Sequence, residues 1–528
     1  MKKILCLALL LIASAFMLAG CGGNNNDDPT PDTGNGTTAT PTPGTGTGGG
    51  TGDTSGTPAT QLRTEINLLT GDHGNFDPHF PAPGANNIVM QQIFDRLNVV
   101  HADGYVEWHL AVDYSVSDDG LLWNYYLRQG VVFSNGQPFS AHDVVFSINL
   151  ARTSPALAPF VGEIADVIAL DDYTVQFVLH HEHAPFFFLM SLIFIANEYT
   201  VTSMGDESSM YPVGTGPYMI DWSSPVNISQ GYSLIRNPLY WGEAPQIERI
   251  NYSIVVDALT GLLAFEAGQI DRISLPLANV ASILAQDQWA VDILPTTGFT
   301  FATMNSNIAP FDDVRVRRAM NHAINREELI LLAFDGFGDP ATIMANPAMV
   351  FGAIVPDDVL DYNPELARQL FAEAGVTDLG TLYMTAGARI PEVMQAQLRR
   401  VGVNIELGMT DMAFIHEGRA NGTIALSLEA HGLPGDFFIW QFFLHSVFSG
   451  SMNMAFYENP EVDALFALAL TQTNPADREA TYAQLLRIVN QDAPYVPLLF
   501  PNVAYARDRA LDTGRFADDG RVANWQWR

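Results

Sequence analysis

An α/β protein of at least two lobes, each built on a mixed sheet, is what the sequence predicts from about residue 61 to the C-terminus. Two observations carry that expectation. Helix starts with good capping chemistry alternate along the chain with short runs of β-branched and aromatic residues, the pattern of α/β folds. About 468 residues follow residue 60, whereas a single hydrophobic core stops growing at roughly 250–300 residues. With 48% hydrophobic residues, including 8 Trp, 17 Tyr and 31 Phe, the chain has the apolar surface to fill large cores.

The first 60 residues read differently from the rest. Lys2 and Lys3 precede an apolar run from Ile4 to Leu18, and Leu18-Ala19-Gly20-Cys21 closes it with small residues placed for cleavage. That is the layout of a lipoprotein signal over residues 1–20. The run is shorter than the roughly 20 apolar residues of a spanning helix, and an uncleaved anchor is the plainer alternative. Cleavage would leave Cys21 first, as the site of lipidation, and its acyl chains together would hold the protein on a membrane where one chain would not. Cys6 leaves with the signal, so stability must come from core size and not from disulfides. Residues 21–60 are Gly, Thr, Pro, Asn and Asp with almost no apolar side chains. They are expected to form a disordered tether with an r.m.s. reach of roughly 35 Å.

Within the body, Ser140-Ala-His-Asp143 and Asn325-Arg-Glu-Glu328 read as capping boxes ahead of apolar stretches. Asn363-Pro364, Asn459-Pro460 and Asn474-Pro475 each place a capping residue before a proline at the first helical position. The helix after Asn363 carries Leu366, Leu370, Phe371 and Ala374 on one face and ends at Gly375. Strands are expected at Leu121–Leu127, Thr174–Leu179, Tyr252–Val256, Phe299–Met304, Val403–Leu407 and Thr423–Leu428. No internal repeat of fixed period is visible. No apolar run after residue 21 is long enough to span a membrane.

A formal net charge of −33 and a pI near 4.4 argue against nucleic acid or anionic lipid surfaces as partners, since both demand a basic face. No nucleophile elbow, metal-protease helix motif or paired Cys/His arrangement is present, so nothing points to an enzyme, and no cofactor is expected. His180-His181-Glu182-His183, and His73 with His79, supply imidazoles without the spacing of a zinc site. The first cluster reads as a polar strand end, and no metal is assigned.

A series of motifs runs in order along the body: Phe76-Asp-Pro-His79, Phe94-Asp95-Arg96-Leu97, Leu127-Arg-Gln-Gly-Val-Val-Phe-Ser-Asn-Gly136, Ser140-Ala-His-Asp-Val-Val-Phe-Ser147, Val213-Gly-Thr-Gly-Pro-Tyr218, Phe265-Glu-Ala-Gly-Gln-Ile-Asp271, the long stretch from Met304 to Glu328, and Ala493-Pro-Tyr-Val-Pro-Leu498. From about Phe76 to Asp512 the chain thereby resembles the extracytoplasmic solute-binding proteins of ABC importers, in the branch that receives peptides and nickel chelates. The resemblance implies a two-lobed periplasmic-binding-protein-like fold of class II, of the large peptide-binding type, with a discontinuous first lobe. On that basis lobe I is 61–298 with 497–528 and lobe II is 299–496. The crossings are expected near Thr297–Phe299 and Pro494–Pro497, and a hinge there would close on ligand.

The resemblance also places ligand contacts. They fall on Gly74, Asn75, Phe76 and Asp77 in lobe I and on Glu429, His431, Gly432, Asp436, Phe437 and Trp440 in lobe II, with Arg389 or Arg419 as the partner of a ligand carboxylate. In the peptide receptors an Asp of the second segment holds the ligand ammonium. Here that position is Ala430 if Pro434 is aligned with the proline of Asp-Tyr-x-x-Pro. Asp436 survives against the pattern Gly-Asp-Pro, but Phe437 replaces the proline. Asp436 is taken as the anchor and Glu429 as its substitute, while the plainer role for Asp436 is to cap a helix starting at Phe437. His431-Gly-Leu-Pro-Gly-Asp436 also resembles the nickel-binding branch, with Phe437 and Phe438 where its Pro-His would stand. Trp241 and Trp440 are candidates for pocket walls or for core.

The reading that results is a lipid-anchored, extracytoplasmic, monomeric receptor that binds short peptides and delivers them to ABC permease and ATPase subunits, turning nothing over. A nickel-chelate, opine or oligosaccharide receptor of the same family is the alternative, as is a sensory receptor without transport.

Overall fold

The computed structural model describes residues 63–528 apart from His73, 81–86, 102–104, Val256, 386–388, 433–434 and 515–519. The expected signal and tether, Cys21, His73 and Pro434 lie outside the described residues. The chain begins with β1 (Glu65–Thr70) and makes a short hairpin from β2 (Asn98–Val100) and β3 (Val106–Trp108). Four antiparallel strands follow, β4 (Ala111–Val116), β5 (Leu122–Leu127), β6 (Ile164–Asp171) and β7 (Thr174–Leu179), in the order β4-β5-β7-β6. The chain returns to β1 through β8 (Tyr218–Ile220), β9 (Gly231–Arg236), β10 (Arg249–Ile254), β11 (Arg272–Leu275) and β12 (Trp289–Pro295). β13 (Gly298–Met304) opens a second large sheet, continued by β14 (Asp339–Pro340), β15 (Asp378–Met384), β16 (Asn404–Met409), β17 (Leu426–Gly432) and β18 (Tyr495–Phe500). β19 (Asn502–Asp508) rejoins the first sheet, and β20 (Leu511–Asp512) pairs with β21 (Gln526–Trp527) at the end.

The first large sheet has seven strands ordered β12-β19-β11-β1-β10-β9-β8, and the second has six ordered β14-β18-β13-β17-β15-β16. Their cores share one plan. In β10-β1-β11-β19-β12 and in β16-β15-β17-β13-β18, four parallel strands enclose one antiparallel strand, and that strand is the first one laid down after a crossing between lobes.

Local chemistry explains why the helices start where they do. Ser140 closes a full capping box on Ala141–Thr153, and Asn363, Asn459 and Asn474 each accept backbone N–H bonds ahead of Pro364–Ala374, Pro460–Thr471 and Pro475–Asp492. Such a cap stabilises a helix by about 1 kcal/mol. The box expected at Asn325 is only half formed. Asn325 accepts from the Glu328 N–H, but the Glu328 carboxylate turns to Arg400, which holds it through two nitrogens at 2.7 and 2.8 Å. Arg317 is buried and donates to the carbonyls of Phe311 and Asp492.

The second crossing differs from the sequence expectation. Tyr495–Phe500 is a fully buried strand of the second sheet, so the chain returns to the first lobe at Pro501, not at Pro494–Pro497. Within this strand Pro497 sits where the pairing of β18 with β13 shifts register, a place that tolerates a missing N–H donor. The first crossing is Thr296–Thr297. The two crossings are bonded to each other, Thr296 Oγ1 donating to the Pro501 carbonyl at 2.7 Å, and Asn346 Nδ2 donates to the carbonyls of Thr296 and Gly298 at 2.9 and 2.7 Å.

The four-stranded sheet and the helix Ala141–Thr153 form a subdomain of the first lobe. A buried polar knot fixes it to the main sheet: Trp241 Nε1 and Thr215 Oγ1 donate to Asp95 at 2.8 and 3.0 Å, while Arg521 bonds Glu107 and His109 at 2.8 Å each. On its other side the subdomain touches the second lobe, where the Ala184 N–H donates to the Leu470 carbonyl and Phe188 meets Phe438. Among the described residues no helix is long and apolar enough to cross a membrane.

Candidate functional site

The strand directions fix where a ligand can enter. β12 leaves the carboxyl edge of the first sheet and, two residues later, β13 begins at Gly298, which pairs with Gly432, the last residue of β17. β18 likewise ends at Phe500 and β19 begins at Asn502, opposite Pro295. Both crossings therefore join carboxyl edge to carboxyl edge, and these edges face one another. In each sheet the strand order reverses beside one strand, β1 in the first and β15 in the second. Open α/β sheets bind ligands in the crevice at such switch points. The loop after β1 is Gly71–Asp77, the loop after β15 leads to Arg389, and the loop after β17 leads to Asp436, so the strands place three segments named from the sequence at these carboxyl edges.

Within those loops the side chains divide. Gly74 is exposed with φ 66°, and its N–H donates to Asp72, whose other oxygen accepts from Ser229 at 2.9 Å. Asn75 accepts from the Asp77 N–H and donates to the Phe80 carbonyl, and Asp77 accepts from the N–H groups of His79 and Phe80. Phe76 points inward, 1% exposed and edge-on to Tyr232. Gly74 is thus the exposed residue of the loop, Asn75 and Asp77 hold its shape, and Phe76 is buried beneath it. His79 is buried in the first lobe behind Phe76, where Ser154 donates to its carbonyl, and burial lowers its pKa to about 4.

The second-lobe acids already have partners. Glu429 lies on β17, 3% exposed, paired with Arg419 of the helix Met412–Ala420, accepting from Ser427 and lying 3.6 Å from His431 Nε2. Burial pushes its carboxyl up, but Arg419 and His431 outweigh burial and hold it below the usual carboxylate range. Asp436 receives the same Arg478 nitrogen on both oxygens, at 3.0 and 3.1 Å, and also caps the short helix Phe437–Trp440 by accepting from the Phe438 N–H. Burial raises its pKa, and Arg478 opposes the shift. Phe437 and Trp440 are fully buried in the core, Trp440 edge-on to Phe299 at 5.0 Å. Arg389 stands out at the start of the helix Ile390–Arg400, its side chain 60% exposed and 3.0 Å from Asp335. Trp241 belongs to the polar knot, not to the cleft.

Sequence reasoning missed Arg478. The signal was there, since Arg478 shares a helical face with Tyr482 and Leu485, and a cation on an apolar stripe demands a buried partner. It also missed the exposed, tilted ring pair of Tyr211 and Trp222, 5.0 Å between centroids, whose two residues flank the outermost strand β8 in the chain. Among the described residues no group of three or more His, Cys, Asp or Glu is placed to hold a metal ion.

Comparisons agree with this architecture. The family model for the middle part of bacterial extracellular solute-binding proteins, family 5, matches residues 106–450. The glutathione-binding protein GsiB of Salmonella typhimurium is 25% identical over 492 residues, covering 88% of this chain and 95% of the relative. The nickel-binding periplasmic protein of Escherichia coli is 25% identical over 464 residues, covering 81% and 87%. Among solved structures, the ABC transporter substrate-binding protein CtaP of Listeria monocytogenes superposes with a TM-score of 0.79 at 21% identity, covering 88% of this chain and all of that one. DppA of Helicobacter pylori in complex with the peptide STSA gives 0.72 at 22%, covering 88% and 98%.

Proposed function

Because the chain belongs to the bacterial extracellular solute-binding proteins of family 5, we propose that it captures short peptides outside the cytoplasmic membrane and hands them to the permease of an ABC importer. The observation that carries the proposal is the pair of facing carboxyl edges joined by two short, mutually bonded crossings, which can swing about Thr296–Gly298 and Pro501. An extended peptide suits these edges because its backbone groups can pair with the free groups of the loops. Gly74, Asn75, Gly432 and Arg389 are the contacts proposed on this geometry. The protein acts as a monomer, without catalysis, and Cys21 carries the lipid.

Denaturing and refolding the protein removes carried ligand. Di- to pentapeptides should then raise the melting temperature, with about 2.7 kcal/mol of stabilisation at 100-fold excess over Kd. A flat response to peptides beside a clear shift with a sugar or a nickel chelate would replace this reading. The lipid is tested separately. The only lysines are Lys2 and Lys3, so a chain cleaved before Cys21 has a single amine, at its N-terminus. Labelling by an amine-reactive dye of a mature chain freed of lipid by mild base, against none of an N-acylated one, reports how Cys21 is modified. An unmodified Cys21 in the intact mass removes the anchor.

A further inference from the structure

The two lobes touch away from their crossings, along a seam between the subdomain and the loop after β17. Phe188 and His183 each meet the Phe438 ring edge-on at 6.0 Å, and the Ala184 N–H donates to the Leu470 carbonyl at 2.7 Å. Phe188, Phe438 and His183 are 5%, 3% and 6% exposed. The buried side chains on the two sides form one continuous apolar cluster, which takes in Phe186 and Met190 of the subdomain and Phe437 and Trp440 of the second lobe, whereas the main first sheet keeps clusters of its own. Gly435 belongs to this fit. Its φ is 63°, and a Cβ on it would stand 1.8 Å from the Phe188 ring, so the ring seats against bare backbone of the other lobe. The charges beside the seam cancel within the second lobe, since Arg478 is paired with Asp436.

This seam has to part when the cleft opens. The subdomain is tied to the main first sheet by directional bonds: the polar knot at Asp95, the Ser134 N–H on the Gly214 carbonyl, and Ser154 on the His79 carbonyl. A swing of the second lobe about Thr296–Gly298 and Pro501 leaves those bonds intact and separates Phe188 from Phe438, which returns buried apolar rings to water. We propose that the seam makes the closed arrangement the resting state of the empty protein, so that solute enters through a minor open state. The proposal concerns the empty receptor and holds for any small solute of the cleft. It has a kinetic signature. When empty and filled forms are both closed, the strength of the seam is common to them and cancels from Kd, while entry and exit both pass through the open state and are slowed by the same factor. In a receptor that rests open, the seam forms only on binding and its strength enters Kd.

The first test involves no solute. In the full-length chain in detergent, refolded to remove carried ligand, hydrogen exchange at the Ala184 amide, resolved by mass spectrometry, should be slowed at least about a hundredfold relative to the unfolded chain. Exchange at the unfolded rate overturns the inference whatever the protein binds. The second test is stopped-flow kinetics with the one peptide, of two to five residues, that gives the largest melting shift. Phe188→Ala should raise the association and dissociation rates together by about tenfold and leave Kd within about twofold. Phe438→Leu, a milder change at the same seam, should move both rates in the same direction by less. An unchanged association rate beside a Kd weakened about tenfold overturns the inference and leaves peptide capture standing. Slow exchange at Ala184 with no response to any peptide removes peptide capture and leaves the closed resting state in place.

Discussion

Replacing Asp436 with alanine separates a ligand anchor from a structural ion pair. The carboxylate is 4% exposed and its partner Arg478 is 7% exposed, packed between Phe351 and Tyr482. Deleting one partner leaves a guanidinium buried without a counter-charge, which costs about 3–5 kcal/mol. Loss of the cap on Phe437–Trp440 adds roughly 1 kcal/mol. For a lobe of about 200 residues each kcal/mol moves the midpoint by roughly 2–4 °C, so Asp436→Ala should melt about 8–24 °C below the parent. The double variant Asp436→Ala with Arg478→Met removes both charges together and should recover most of that loss, because a matched apolar pair can replace a buried ion pair at little cost. Differential scanning calorimetry of the ligand-free proteins gives the midpoints and peptide titration gives the affinity. If Asp436→Ala melts within about 2 °C of the parent and no longer binds peptide, Asp436 holds ligand and its assignment to Arg478 fails.

Other expectations follow from the same contacts. Gly435 has φ 63°, and a Cβ there would come within 1.8 Å of the Phe188 ring, so Gly435→Ala should lower the midpoint and Phe188→Ala should relieve part of the loss; an unchanged midpoint would mean that the subdomain does not rest on this loop. Burial lowers His79 and His183 to about 4. The unfolded chain therefore takes up protons first as pH falls, and stability present above pH 6.5 is lost down to about pH 4, by up to about 3 kcal/mol per histidine. His183→Phe should flatten part of that slope in urea titrations at pH 7 and 4.5, and an unaltered slope would contradict it. At the alkaline end, burial raises Tyr125, Tyr218, Tyr232, Tyr252 and Tyr495. Their contribution is present below the ordinary tyrosine value of about 10 and lost above it, so the midpoint should hold from pH 8 to 9.5 and fall beyond pH 10; an earlier fall would point to another group.

The helix starts were legible because capping is local: Ser140, Asn363, Asn459 and Asn474 act on N–H groups within three residues of themselves. The cleft loops were legible through motif order. Which side chains face the cleft was not, because pairing across 42 residues, as between Asp436 and Arg478, leaves no mark on either segment alone. The place of the second crossing was hidden for a related reason, since only pairing with β13 shows that Tyr495–Phe500 belongs to the second sheet. The common plan of the two sheets was also invisible to a search for periodicity, because equal strand order is reached with helices and loops of unequal length and composition.

That common plan has a bearing on biogenesis. β12 is hydrogen-bonded to β19 alone, and β11 meets β1 through a single registered pair. A chain threaded through a membrane from its N-terminus delivers β11 and β12 some 200 residues before β19 arrives to join them, a separation that slows closure and leaves strand edges open to wrong neighbours. The stretch from Asn502 onward acts as a keystone for the beginning of the polypeptide, so truncations near the C-terminus should strike the half of the molecule that was made first.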